Sequence, residues 1–123
     1  MYAIDKHLEG IAEWIILDRP EFNHLSDVRI VYMTCDEPKR NGKKTVLADC
    51  EKLSEKMSTL SGVDFVITFY ADSEELPDDK ILIVMEHELM HVGWDGERKT
   101  INPHDVEDFH DILSKYGLDW KEP

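Results

Sequence analysis

The run Ile81-Leu-Ile-Val-Met85 carries apolar side chains on every side of a helix and leads straight into Glu86-His87-Glu88-Leu89-Met90-His91. A helix that is apolar all round is stable only when the rest of the chain wraps it. The pattern predicts one helix from Pro77 to Val92. Pro77 suits the first turn, Asp78 and Asp79 sit where the helix dipole favours negative charge, and Gly93 reads as a C-terminal cap.

The remaining segments must form the shell around that helix. Ile4, Leu8, Ile11 and Ile15, with Trp14 nearby, recur at helical spacing, which predicts a helix from Ala3 to Leu17 ended by Arg19-Pro20. Val28 to Thr34 and Thr45 to Cys50 are rich in β-branched residues. Asn41-Gly42 lies between them, so a hairpin is expected. Glu51 to Ser61 reads as a short helical turn closed by Gly62. Asp64 to Tyr70 is the third strand. A last helix is expected from Asn102-Pro103 to about Tyr116, with Val106, Phe109, Leu113 and Tyr116 facing inward. Three strands need their apolar face covered, and the helices are the elements available to do it. The fold class is therefore α+β, in a single domain spanning residues 1–123.

The chemistry concentrates in His87-Glu88-Leu89-Met90-His91. On a helix, residues i and i+4 stand one turn apart on one face, so His87 and His91 can offer imidazole nitrogens to one ion. Glu88 lies about 100° further round the helix. It cannot join them as a ligand, but it can reach a water held by the metal. Two imidazoles, a third ligand, an open position and a carboxylate are the parts that metal-assisted hydrolysis needs, with Zn²⁺ as the fitting ion and Glu88 as general base. Two histidines and two glutamates on an otherwise apolar helix would be costly without such a use.

The third ligand must come from beyond the helix. A further His at position 97 would define one subclass of such sites, but Glu97 stands there and Trp94 replaces the Gly of that pattern. His104 is favoured, because a helix start after a loop can be set against a neighbouring helix. His110, Glu107 with Asp111, Asp108 and Asp105 are the alternatives. Tyr116, Tyr70 and His110 have the chemistry to donate to an oxyanion. His7 and His24 read as solvated surface residues. Cys35 and Cys50 lack a CxxC spacing and read as reduced core or boundary residues.

Composition narrows the partners. Asp and Glu number 27 against 14 Lys and Arg, a net charge of −13. Such a chain lacks the cationic surface that drives binding to nucleic acid or anionic lipid. No apolar run approaches a bilayer span, and the N-terminus has no secretion signal. A cytoplasmic location is expected, with no membrane or nucleic-acid partner.

His-Glu-Leu-x-His, a short loop, and then His104-Asp-Val-Glu-Asp-Phe109 resembles the putative phage metallopeptidases, a group of small zincin-like proteins from phages and prophages. Val28-Arg-Ile, Gly42-Lys43, Leu47-Ala48-Asp49 and Asp64-Phe-Val-Ile are similar as well, so the resemblance covers roughly residues 20–116. It is similar, more distantly, to the SprT-like metalloproteases. The resemblance implies a minimal zincin-like domain with His87, His91 and His104 as zinc ligands and Glu88 as the catalytic carboxylate. It implies a peptide or protein substrate. SprT-like proteins usually carry a His-Gly pair in basic surroundings. Here Asp105 follows His104 and the chain is acidic, which speaks against a DNA-linked role. Two other readings stand beside hydrolysis of peptides: a zincin-like binding or regulatory module that cuts nothing, and a metal-dependent hydrolase with another substrate.

Overall fold

Tyr2–Ile4 forms a strand, β1, rather than the first turn of a helix. It pairs antiparallel with β2 (Ile30–Cys35), Ala3 opposite Thr34. The first helix, α1, therefore starts later, at Lys6, and runs to Asp18. The Asp5 side chain caps it by accepting the Leu8 N–H at 2.9 Å, a local signal that the hydrophobic spacing overrode. Leu8 and Ile15 are buried as the stripe requires, and Ala12 joins them, but Ile4 is 65% and Trp14 53% exposed. The computed structural model describes residues 1–102. The helix expected up to Tyr116 lies outside the described residues beyond Asn102.

Among the described residues the main sheet has four strands where three were expected, and the predicted pairing is replaced. Its order is β1, β2, β6 (Phe65–Phe69), β5 (Ala48–Lys52). β2 runs parallel to β6, and β5 pairs antiparallel with the other side of β6. Thus the segment 28–34 and the segment 45–50 are not hairpin partners. Phe65, Ile67 and Phe69 are among the most buried side chains, so the most apolar strand takes the centre. The Asn41-Gly42 turn closes a smaller hairpin of its own, β3 (Lys39–Asn41) with β4 (Lys44–Val46). Gly42 adopts a φ of 65° there. Helix α2 (Glu55–Ser61) starts later than the turn expected from Glu51, because Glu51 and Lys52 complete β5; Ser54 caps it, and Gly62 closes it as expected.

Tyr32, Ile67 and Cys50 share one rung of the sheet. Together with Phe65 and Phe69 they face a core completed by Leu8, Ala12 and Ile15 of α1 and by Val84, Met85 and Leu89 of the third helix. A 3-10 segment, Pro20–Asp27, adds Phe22 and Leu25 to it. The third helix, α3 (Asp78–Leu89), packs against α1 and β5. Ile83 to Leu89 are buried without a break, so the helix is wrapped as its sequence demanded. It stops earlier than expected, because Val92–Trp94 is a strand, β7, paired with β8 (Lys99–Ile101). Asp64 ties the two ends of this layout together. Its buried carboxylate accepts from the Arg29 N–H at 3.0 Å, the Ser58 hydroxyl at 2.7 Å and Lys99 of β8 at 3.0 Å. The two cysteines are free thiols, in line with the reduced reading. Among the described residues no helix is long and apolar enough to cross a membrane.

Candidate metal centre

His87 sits in the last turn of α3, and His91 lies just past its end. The helix tightens as it finishes. The Met90 N–H reaches the Glu86 carbonyl at 3.1 Å, and the His91 N–H reaches the Glu88 carbonyl, also at 3.1 Å. This closing turn keeps both imidazoles on one side. Their ring centroids are 5.1 Å apart and their planes perpendicular. Two imidazoles held at about 2.1 Å from one tetrahedral ion have centroids roughly 5 Å apart, so the pair has the spacing a shared zinc ion requires. Both rings are buried.

The His91 ring is fixed from behind. Its Nδ1 is 2.6 Å from the Asn102 carbonyl oxygen. A carbonyl can only accept, so Nδ1 carries the proton and, in the neutral ring, Nε2 keeps the lone pair. That is the tautomer a metal-facing Nε2 needs. Asn102 is itself held on both sides: its N–H donates to the His91 carbonyl at 2.7 Å, and its side-chain amide donates to the Met90 carbonyl at 3.2 Å.

Gly93 makes this arrangement possible. A Cβ there would lie 2.8 Å from the Asn102 Oδ1 and 2.9 Å from the Thr100 carbonyl oxygen, and closer still to the Thr100 hydroxyl. The glycine read as a helix cap is instead the point where β7 and β8 approach each other. Sequence reasoning did not single out Asn102 in this role. Its contact is through the backbone, which no side-chain pattern reports.

Glu88 is buried between the two histidine positions in sequence. Helix α3 packs against β5, where the Cys50 thiol is pushed up to about 12, first by burial and then by the negative charge of Glu88. Glu86, the residue before His87, is paired with Arg19 at the end of α1.

Other sequence candidates are placed elsewhere. Tyr70 donates its hydroxyl to Asp49 at 2.8 Å, and burial together with that carboxylate holds its phenol above the ordinary tyrosine value. Its hydroxyl proton is thus directed at Asp49, at the end of β6 opposite Asp64. His7 and His24 are exposed. Among the described residues no set of three or more His, Cys, Asp or Glu side chains is gathered to hold a metal ion. His104, His110, Glu107, Asp108, Asp105, Asp111 and Tyr116 lie outside the described residues.

The sequence profile of the putative phage metallopeptidase family matches residues 1–122. The chain belongs to that family. The match takes in the strands, the histidine pair and the segment beyond Asn102 in one stretch, and the family is described as one of putative phage metallopeptidases. A metallopeptidase implies a metal ion, and the His87–His91 pair has spacing and a ring tautomer that fit one. No curated protein and no solved structure matches the chain significantly.

Proposed function

We propose that this member of the phage metallopeptidase family is a zinc-dependent peptidase, with His87, His91 and His104 as ligands and Glu88 as general base. One observation carries the reading: two perpendicular imidazoles 5.1 Å apart, one of them locked by Asn102 in the tautomer that leaves Nε2 for a metal. Zinc bound there supplies Lewis acidity, which acidifies water and polarises a carbonyl. Glu88 takes the proton from the attacking water and returns it to the leaving amine. Asn102 holds the His91 ring against rotation while this occurs. Wrapping by the core excludes bulk water from the charges around Glu88.

The substrate in this reading is an extended peptide. Among the described residues β5 pairs in register only with β6, and the peptide would add as a further strand to an edge of this sheet.

The test uses the full chain. Purified protein is assayed for zinc and for cleavage of an unfolded protein, with and without chelator. Near-stoichiometric zinc and cleavage abolished by chelation are expected. Zinc uptake with no cleavage would turn the reading into a binding or regulatory module, and no zinc uptake would end it.

A further inference from the structure

We infer that the buried Arg19–Glu86 ion pair is a positioning device for the histidine turn, setting the rotation of α3 so that His87 and His91 meet. The inference rests on the metal-centre reading above and adds two residues to it.

Arg19 and Glu86 are 67 residues apart in sequence and joined directly, guanidinium to carboxylate. The Arg19 side chain is 14% and the Glu86 side chain 5% exposed. Ion pairs this deep return little net stability, because the desolvation cost offsets the attraction, and an apolar pair of similar volume does as well or better. Position 86 follows Ile83, Val84 and Met85 in a fully buried stretch, where an aliphatic residue would pack without that cost. What an apolar contact cannot supply is direction. A guanidinium–carboxylate contact fixes angle as well as distance.

Both ends of the pair are anchored. Arg19 caps α1, its N–H donating to the Ile15 carbonyl at 3.0 Å. Its own carbonyl accepts the Phe22 N–H at 3.0 Å, which starts the 3-10 segment. Pro20 holds Arg19 in an extended conformation, φ −116° and ψ 113°. The guanidinium therefore projects from a backbone tied on both sides. Glu86 directly precedes His87, and its carbonyl accepts the Met90 N–H that closes the helix. The pair thus grips α3 at the turn where helices fray most readily.

Geometry makes that grip matter. With side chains a helix is about 10–12 Å across, so a 10° rotation about its axis moves an outer atom by about 1 Å. An error of about 1 Å at a reacting centre costs on the order of 100-fold. Leu89 and Met85 alone, as apolar neighbours, tolerate small rotations.

The discriminating experiment separates stability from placement. Arg19→Met and Glu86→Gln each leave one partner behind and are expected to lower the stability of the metal-free protein. The double variant Arg19→Met/Glu86→Leu removes both charges, and its metal-free melting temperature is expected to return close to that of the unchanged chain. Zinc affinity, read by competition with a chromophoric chelator, is expected to stay roughly 10- to 100-fold weaker in the double variant. Its kcat is expected to fall with KM little changed.

Wild-type zinc affinity and kcat in the double variant would overturn the inference and leave the metal centre standing. Should the double variant not fold, Arg19→Lys keeps the charge and loses the planar fork. Weakened zinc binding at unchanged stability supports positioning, and unchanged zinc binding overturns it. Failure of the wild-type chain to bind zinc, seen before any variant is made, removes the reading on which the inference rests and the inference with it.

Discussion

His91 and Asn102 hold each other twice. The His91 Nδ1 donates to the Asn102 carbonyl at 2.6 Å, and the Asn102 N–H donates to the His91 carbonyl at 2.7 Å. Eleven residues separate them, and the β7–β8 hairpin brings them together. The ring orientation of one proposed ligand is thus decided by how closely two short strands approach.

Gly93→Ala tests that dependence. The added methyl meets the Thr100 backbone and the Asn102 side chain at less than van der Waals distance, so β8 must shift. A cost of about 1–3 kcal/mol in stability is expected, with zinc affinity weakened roughly tenfold or more because the His91 ring loses its fixed acceptor. Thermal melting and chelator competition read the two effects separately. Unchanged zinc affinity in a folded Gly93→Ala protein would show that Asn102 does not orient the ligand.

Glu88→Gln separates binding from turnover. The amide keeps the shape and burial of the side chain but cannot accept a proton. Zinc content is expected to match that of the unchanged protein, while kcat falls by about 100- to 10,000-fold, the usual worth of a general base. Retained turnover with retained zinc would assign the proton transfer to another group.

Metal removal connects the site to the fold. His87 sits in the last turn of the helix that runs through the core, so an ion joining it to His91 and to a third ligand would stabilise the folded state alone. At zinc concentrations about 100 times Kd, linkage gives roughly 2.7 kcal/mol, which for a chain of this size raises the melting temperature by roughly 10 °C. Calorimetry with and without chelator measures it, and coincident transitions would argue against a bound ion in the native protein.

The parts of the structure that were legible in the sequence are those set by one local pattern. The apolar run into Glu86-His87-Glu88 gave the buried helix, Gly62 marked the end of α2, and Phe65 to Phe69 gave the central strand. What went astray depended on partners far away in sequence. Tyr2–Ile4 carries apolar residues at a spacing that also suits a helix, and only the pairing with Met33–Cys35 makes it a strand. The segment 45–50 has a turn signal pointing back to β2, yet β6 offers the larger apolar surface and takes both strands as neighbours. At the site, the spacing of His87 and His91 announced their meeting. Arg19 and Asn102 left no sign, since one acts across two helices and the other through its backbone.

Tyr70→Phe follows from its placement. The hydroxyl is bonded to Asp49, which also pairs with Lys39. Loss of about 1 kcal/mol of stability is expected, with kcat unchanged. A marked drop in kcat at wild-type zinc content would bring Tyr70 back as a participant in the reaction.

Asp64 gives the molecule an acid limit. Burial is the largest single influence on its carboxyl and pushes the pKa up. The Arg29 N–H, the Ser58 hydroxyl and the Lys99 ammonium together outweigh it and bring the folded-state value below the ordinary one. A depressed folded pKa means that the contribution to stability is complete above the unfolded value, about 3.9. It is lost as pH falls through the lower folded value. Asp64→Asn removes the charge while keeping the shape. It is expected to cost about 2–3 kcal/mol at neutral pH, since Lys99 and the Arg29 N–H lose their charged acceptor. The deficit relative to the unchanged protein should begin to shrink below about pH 4, where the unfolded carboxyl takes up its proton, and close further as pH falls through the lower folded value. Urea melts from pH 7 down to pH 3 measure this. A deficit that stays constant across that range would mean that Asp64 acts through shape and neutral hydrogen bonding rather than through its charge.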